Sequence, residues 1–216
     1  IMTTGMQGKT VLISGATNGI GQITAIELAK LGARVVIIGR SPTKTADTLK
    51  TIQAASGNRD VHSLIGDLSL MKDVRQVAAS FLQQFDRLDV LVNNAGAIFN
   101  ERQETAEGLE MTFALNHLNY FLLTHLLLDR IKASAPARIV NVSSDAHTMG
   151  PLNVDDLQLK QGYGMGGFKA YSQSKLMNIM FTYELARRLA GTGVTVNALH
   201  PGFVTTGFGR NNKGLM

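Results

Sequence analysis

Val11-Leu12-Ile13-Ser14-Gly15-Ala16-Thr17-Asn18-Gly19-Ile20-Gly21 passes from a short β-rich run through three glycines, at spacings of four and two, into a segment with apolar residues at Ile20, Ile23 and Ile26. A strand-forming run, a glycine turn and then a helical apolar spacing read as one β-α unit. The same alternation continues along the chain. Strands are expected at 10–14, 34–38, 61–65, 88–92, 138–142 and 194–199, and helices at 19–31, 44–55, 70–85, 107–131 and 171–189. Several of the strands are nearly continuous apolar runs, as required when helices cover both faces of a parallel sheet. The expected fold is α/β, a single doubly wound parallel sheet flanked by helices. The longest irregular stretch, 144–168, is expected to be functional or mobile.

Composition narrows the function classes. With 216 residues the chain is read as one domain, 1–216, long enough to bury a sizeable core. The absence of cysteine removes disulfides, thiolate metal sites and a cysteine nucleophile together, and suits a reducing, cytoplasmic location. The most apolar stretch, 120–128, is interrupted by His125 and closed by Asp129, so no membrane span is expected. The chain begins at Ile1 rather than Met, which leaves room for an upstream anchor. A net charge of +5 invites a polyanionic partner, yet Arg187-Arg188 is the only adjacent basic pair, so nucleic acid is not expected and an anionic cofactor fits better. The five histidines show no metal-ligand spacing, no metal is expected, and no G-x-S-x-G elbow is present.

In doubly wound sheets ligands bind outside the carboxyl ends of the strands, and each such end here carries distinctive residues. After strand one, the turn holding Gly15, Thr17, Asn18, Gly19, Ile20 and Gly21 lets backbone amides approach a pyrophosphate at a helix N-terminus. It matches neither G-x-G-x-x-G nor the phosphate-loop pattern, because Ile20 and Thr24 stand where glycine is required. Strand two ends in Gly39-Arg40-Ser41. With no acidic residue there to repel a 2'-phosphate, Arg40 and Ser41 favour NADP(H) over NAD(H). Strand three ends in Gly66-Asp67-Leu68, where Asp67 either accepts from an adenine amino group or caps the helix near Leu70. Strand four ends in Asn93-Asn94-Ala95-Gly96, suited to the adenosine side of a cofactor, and strand five in Ser143-Ser144. Strand six ends in His200-Pro201-Gly202, followed by Thr205-Thr206. Tyr171 and Lys175, four apart, share a helix face, so an ammonium can favour the phenolate and tune the tyrosine for proton transfer.

Taken in order, these motifs resemble the short-chain dehydrogenase/reductase family, over nearly all of the chain. Residues 138–147, 171–189 and the loop between them resemble the retinol-dehydrogenase and WW-domain-oxidoreductase branch, whose serine-to-tyrosine interval is long; here Ser144 precedes Tyr171 by 27 residues. The resemblance implies a Rossmann-type domain that transfers a hydride between NADP(H) and an alcohol or carbonyl. It implies Tyr171 as general acid/base, Lys175 lowering the tyrosine pKa and binding the nicotinamide ribose, and Ser144 orienting the substrate oxygen. Asn116 would hold a water linking Lys175 to solvent, and Thr206 the carboxamide. Gly15 to Gly21, Asp67, Leu68, Asn94, Ala95, Gly96, Pro201 and Gly202 would line the cofactor site.

Apolar residues after the site loops, Ile98, Phe99, Met149, Met165, Phe168, Phe203 and Phe208, favour a lipophilic small-molecule substrate. Two other readings remain. One is a protochlorophyllide-reductase-like double-bond reductase, disfavoured by the lack of cysteine; the other is a non-catalytic nucleotide-binding regulator, disfavoured by the retained tyrosine and lysine. The helices at 107–131 and 169–190 resemble those that pair in family dimers and tetramers, so a homodimer or homotetramer is expected. The family's seventh strand and closing helix find no counterpart before Met216, so the C-terminal part of the domain is expected to be missing.

Overall fold

The structure, a computed structural model, describes residues 5–202 and 204. Among them lie six strands, β1 (Thr10–Ser14), β2 (Arg34–Gly39), β3 (Val61–Ile65), β4 (Val90–Asn93), β5 (Ala137–Val142) and β6 (Val194–Leu199), all parallel in the order β3-β2-β1-β4-β5-β6. The order reverses between β1 and β4, which opens a crevice at their carboxyl ends. β1 and β2 lie inside the sheet and are buried almost throughout. The outer strand β6 alternates buried Val194 and Val196 with exposed Thr195 and Asn197.

Helices α1 (Gly19–Lys30) and α2 (Pro42–Ser56) cover one face, where Ala25, Ile26, Ala29 and Ile52 pack on Val11, Ile13, Val35 and Ile37. The opposite face carries α3 (Met71–Gln84), α5 (Asn119–Ala133) and α6 (Phe168–Arg188). On α3 the buried residues Val74, Val77, Ala78 and Phe81 follow helical spacing, so one stripe meets the sheet. Full burial of a side chain such as Phe81 contributes roughly 1.5–3 kcal/mol.

The long helix expected from 107 is built differently. It begins with α4 (Met111–Phe113), capped by the carboxylate of buried Glu110, which accepts from the amides of Thr112 (2.8 Å) and Phe113 (2.6 Å). A π-helical turn, Ala114–Leu118, joins it to α5. Glu107 lies outside this helix, and its carboxylate caps α3, accepting from the amides of Met71 (2.6 Å) and Lys72 (3.0 Å). The cap offered to Asp67 is thus filled from another loop. Asp67 instead closes a local turn with the amide (3.0 Å) and hydroxyl (2.7 Å) of Ser69. Strand four starts at Val90 rather than 88, because Leu88 gives its amide to the Ser134 hydroxyl.

At the amino end of the sheet, Asp89 binds β1 and β4 together. Its buried carboxylate accepts from the Thr10 amide (2.9 Å), Lys9 Nζ (2.9 Å) and Arg87 Nε and Nη2 (2.7 and 2.6 Å). Burial pushes its pKa up, but these donors outweigh burial and hold it at about 2. A carboxyl depressed on folding stabilises the native state above its unfolded pKa, and the contribution fades as pH falls through the folded value. Asp89→Asn is expected to cost about 2 kcal/mol at pH 7 by urea denaturation. The gap from the native protein should close between about pH 4 and 2. A constant gap across that window would remove the carboxylate from this role.

Candidate active site

The glycine turn after β1 is built against the end of β4. Ser14 Oγ accepts from the amides of Asn94 (2.9 Å) and Ala95 (3.0 Å), and Asn94 Nδ2 donates to the carbonyls of Ser14 and Gly15, both at 3.0 Å. Asn94 therefore braces the turn with its amide. Gly15 has φ +67°, and a Cβ there would lie 2.7 Å from Ala95 Cα; a Cβ on Gly21 would lie 2.5 Å from the Gly15 carbonyl oxygen. These two absences let α1 begin directly over the crevice. Its N-cap residue, Asn18, makes no side-chain capping bond, so among the described residues the first amides of the helix are left uncapped at the crevice.

At the end of β2, a Cβ on Gly39 would collide with Thr45 Oγ1 and come within 2.8 Å of Thr17 Cγ2. Packing alone therefore disfavours an acidic residue at this position. Arg40 follows with 76% of its side chain exposed and Nη1 3.7 Å from Asp67 Oδ2. Ser41 turns away: it caps α2, accepting from the Lys44 amide, and does not line the crevice.

The crevice opens into a cleft of about 810 Å³ that runs from the glycine turn to α6. Of the residues singled out in the sequence, Gly15, Thr17, Asn18, Gly19, Ile20 and Gly21 line one end, with Arg40, Asp67, Leu68, Asn94 and Ala95, whereas Gly96 lies beside Lys175, a Cβ there being 3.7 Å from its Nζ. Ser144, Tyr171, Lys175, Pro201 and Gly202 line the other end. Phe99, Met149 and Phe168 are in its wall and Ile98 is not. Thr206, Phe203 and Phe208 lie outside the described residues, as does the side chain of Met165. The sequence reading missed Met111 and Leu115, which stand four apart on the bulged helix and face the cleft; their helical spacing was the available signal. One wall is set by the loop before α6. Tyr163 donates its hydroxyl to the Phe99 carbonyl (3.0 Å) and shares a hydrogen bond with Thr112 (2.9 Å).

At the α6 end, Ser144 is hydrogen-bonded to the Tyr171 hydroxyl, whereas Ser143 Oγ donates to the Lys175 carbonyl and steadies the helix backbone. Lys175 is 3% exposed; its Nζ donates to the Val142 carbonyl at 2.9 Å and stands 5.4 Å from the centroid of the Tyr171 ring. Burial lowers the lysine pKa to about 8. Burial also raises Tyr171, and the Ser144 bond only partly opposes it. The expected lowering of the phenol by Lys175 is thus outweighed, because both groups sit away from water and desolvation disfavours either charged form.

Asn116 is fully buried behind the cleft wall rather than in it. Its Oδ1 accepts from the Ala97 amide (2.9 Å), and its Nδ2 donates to the Ala97 carbonyl (2.9 Å) and to Ser174 Oγ (3.2 Å). Both ends of the amide are engaged with protein, so its side chain acts as a brace between the Ala97 backbone and Ser174.

The family model for short chain dehydrogenases matches residues 9–155 and 159–214. The chain belongs to the short-chain dehydrogenase family. Human retinol dehydrogenase 13 is 46% identical over 204 residues, covering 94% of this chain and 61% of that protein. Human retinol dehydrogenase 11 is 47% identical, covering 98% and 66%, and Bos taurus retinol dehydrogenase 12 is 50% identical, covering 91% and 62%. Within the short-chain dehydrogenases this chain therefore resembles the retinol-dehydrogenase branch, and it spans 61–66% of the length of these relatives. A solved short-chain dehydrogenase/reductase of unknown function from Caenorhabditis elegans, with cofactor, superposes with TM-score 0.78 at 34% identity, covering 98% of this chain and 75% of that one. The Pseudomonas aeruginosa RhlG/NADP active-site complex superposes with TM-score 0.77 at 30% identity, covering 94% and 75%.

The tight seat of α1 is directly testable. Gly21→Ala drives a methyl into the Gly15 backbone and is expected to cost about 1–3 kcal/mol by urea denaturation. An unchanged midpoint would mean that the turn has room it does not show.

Proposed function

We propose that this chain is the nucleotide-binding and catalytic part of an NADP(H)-dependent oxidoreductase that interconverts a primary or secondary alcohol and its carbonyl on a lipophilic substrate. The observation that carries this reading is the meeting of Ser144, Tyr171 and Lys175 at one end of a cleft whose other end is the glycine turn. The residues present fit a dinucleotide. The missing Cβ atoms at Gly15 and Gly21 leave backbone within reach of a pyrophosphate, and the start of α1 offers amides to its charge. Arg40, exposed beside a position where Gly39 admits no carboxylate, favours the 2'-phosphate of NADP(H). The relatives named retinol dehydrogenases and the neighbour solved with NADP support the same assignment.

When bound, the cofactor supplies or accepts the hydride. The protein's own part is position and proton. Ser144 orients the substrate oxygen beside the Tyr171 hydroxyl, which gives its proton to a carbonyl oxygen during reduction and takes one from an alcohol during oxidation. Lys175, its pKa lowered by burial to about 8, holds the ribose and as an ammonium offsets charge on the phenolate as it forms. Phe99, Met111, Leu115, Met149 and Phe168 form an apolar wall that suits an extended hydrocarbon or aromatic body.

Tyr171→Phe keeps the ring and removes the proton. It is expected to lower turnover of lipophilic aldehydes and alcohols by at least about a hundredfold with cofactor affinity within about twofold. Turnover at the native rate would exclude Tyr171 as the acid/base.

A further inference from the structure

We propose that Asn178 is a positioning residue for the Tyr171 and Lys175 pair, holding in place the π-helical turn that carries Asn116, with His117 donating to the other end of the Asn178 amide. The proposal rests on the oxidoreductase reading of the cleft given above.

Asn178 lies on α6 less than one turn beyond Lys175 and is 0% exposed. Its Nδ2 donates to the main-chain carbonyl of Asn116 at 2.9 Å. A carbonyl only accepts, so the amide nitrogen must face it, and Oδ1 is left to face His117 Nδ1, also at 2.9 Å. His117 is thereby set as the Nδ1–H tautomer. Its ring is packed near Phe113 (centroids 6.0 Å apart) and Phe181 (6.3 Å), and burial lowers its pKa, so it serves as a neutral donor.

The contact is the end of a buried polar column. The Asn178 carbonyl accepts from Thr182 Oγ1 (2.7 Å), which in turn accepts from Asn141 Nδ2 (2.9 Å), and Asn141 Oδ1 accepts from Asn93 Nδ2 (2.9 Å). None of these residues exceeds 7% exposure. Each polar group left unpaired at such depth would cost roughly 1–3 kcal/mol. The column thus ties the carboxyl ends of β4 and β5, through α6, to one turn of another helix.

That turn is where a small displacement reaches the reacting groups. Asn116 is bonded to Ser174 Oγ, which donates to the Tyr171 carbonyl at 2.7 Å. On its other side, the point where Gly96 would carry a Cβ is 3.3 Å from Asn116 Oδ1 and 3.7 Å from Lys175 Nζ, so Gly96 adjoins both the brace and the ammonium. A π-helical turn is a rare interruption of the α-helical ladder, so contacts from outside the helix help to hold it. Asn178 supplies such support from the same helix that presents Tyr171 and Lys175, so the two sides move together.

The test compares Asn178→Leu, His117→Phe, their combination and Thr182→Val in the full-length protein. Asn178→Leu is expected to lower kcat about tenfold with KM for cofactor and substrate within about twofold. It should also displace both the pH–rate profile and the Tyr171 phenol titration, read by NMR of carbon-13-labelled tyrosine. His117→Phe should do the same to a smaller degree, and the combined variant should lose less than the product of the two. Thr182→Val breaks the column further from the turn and should lower Tm while leaving kcat per folded molecule unchanged. If Asn178→Leu does not fold, His117→Phe carries the same readouts. A lower Tm with kcat, pH profile and Tyr171 titration all unchanged would overturn the proposal. A native protein that turns over no alcohol or carbonyl would overturn the oxidoreductase reading instead, and the Tyr171 titration, which needs no substrate, would still decide the role of Asn178.

Discussion

The ammonium of Lys175 lies beneath the cleft with its hydrogen bond given to the Val142 carbonyl, and much of the surrounding structure is arranged around the difficulty of keeping it there. An unpaired charge in a protein interior costs several kcal/mol, and among the described residues burial is the cause that moves this lysine, with no carboxylate beside it. What offsets the cost is partial and distributed: one backbone carbonyl at the end of β5, and the ring of Tyr171 at 5.4 Å with that of Tyr120 further off at 6.0 Å. The result is a lysine held at about 8, charged at neutral pH and close to giving up its proton. Such a group can respond to charge developing on a neighbouring oxygen, which a freely solvated ammonium does only weakly.

The parallel sheet separates this site from the interactions that secure the fold. Asp89 and its three basic and backbone partners hold the amino ends of β1 and β4, while the glycine turn, Ser144 and Tyr171 gather at the carboxyl ends. The two ends are linked by strands that are buried almost throughout, so the geometry of the cleft is inherited from a rigid body. Loops that line the cleft are in turn fixed to it by single well-placed bonds, as Tyr163 does for the wall around Phe99.

What could be read from the sequence was what is local and periodic. The glycine turn, the strand and helix alternation and the Tyr171/Lys175 spacing all follow from geometry within a few residues, and the structure brings these residues to one cleft. What could not be read depended on groups far apart in the chain. Glu107 looked like the first turn of a helix and instead caps α3, about 35 residues earlier, because its carboxylate meets two free amides there. Asn116 and Asn178 are 62 residues apart, and nothing in either local pattern announces that one holds the other's carbonyl. The tyrosine and lysine shifts were not legible for the same reason: spacing reveals that two groups are near, whereas burial, which raises the one and lowers the other, is a property of the whole fold.

The most direct test of the account is a fluorescence titration with NADPH and, separately, NADH, on the native protein and on Arg40→Ala. The account predicts NADPH binding at least about tenfold tighter than NADH, with the preference lost in the variant while NADH affinity is little changed. Failure of the native protein to bind either nucleotide, or an NADPH preference that survives the loss of Arg40, would contradict it.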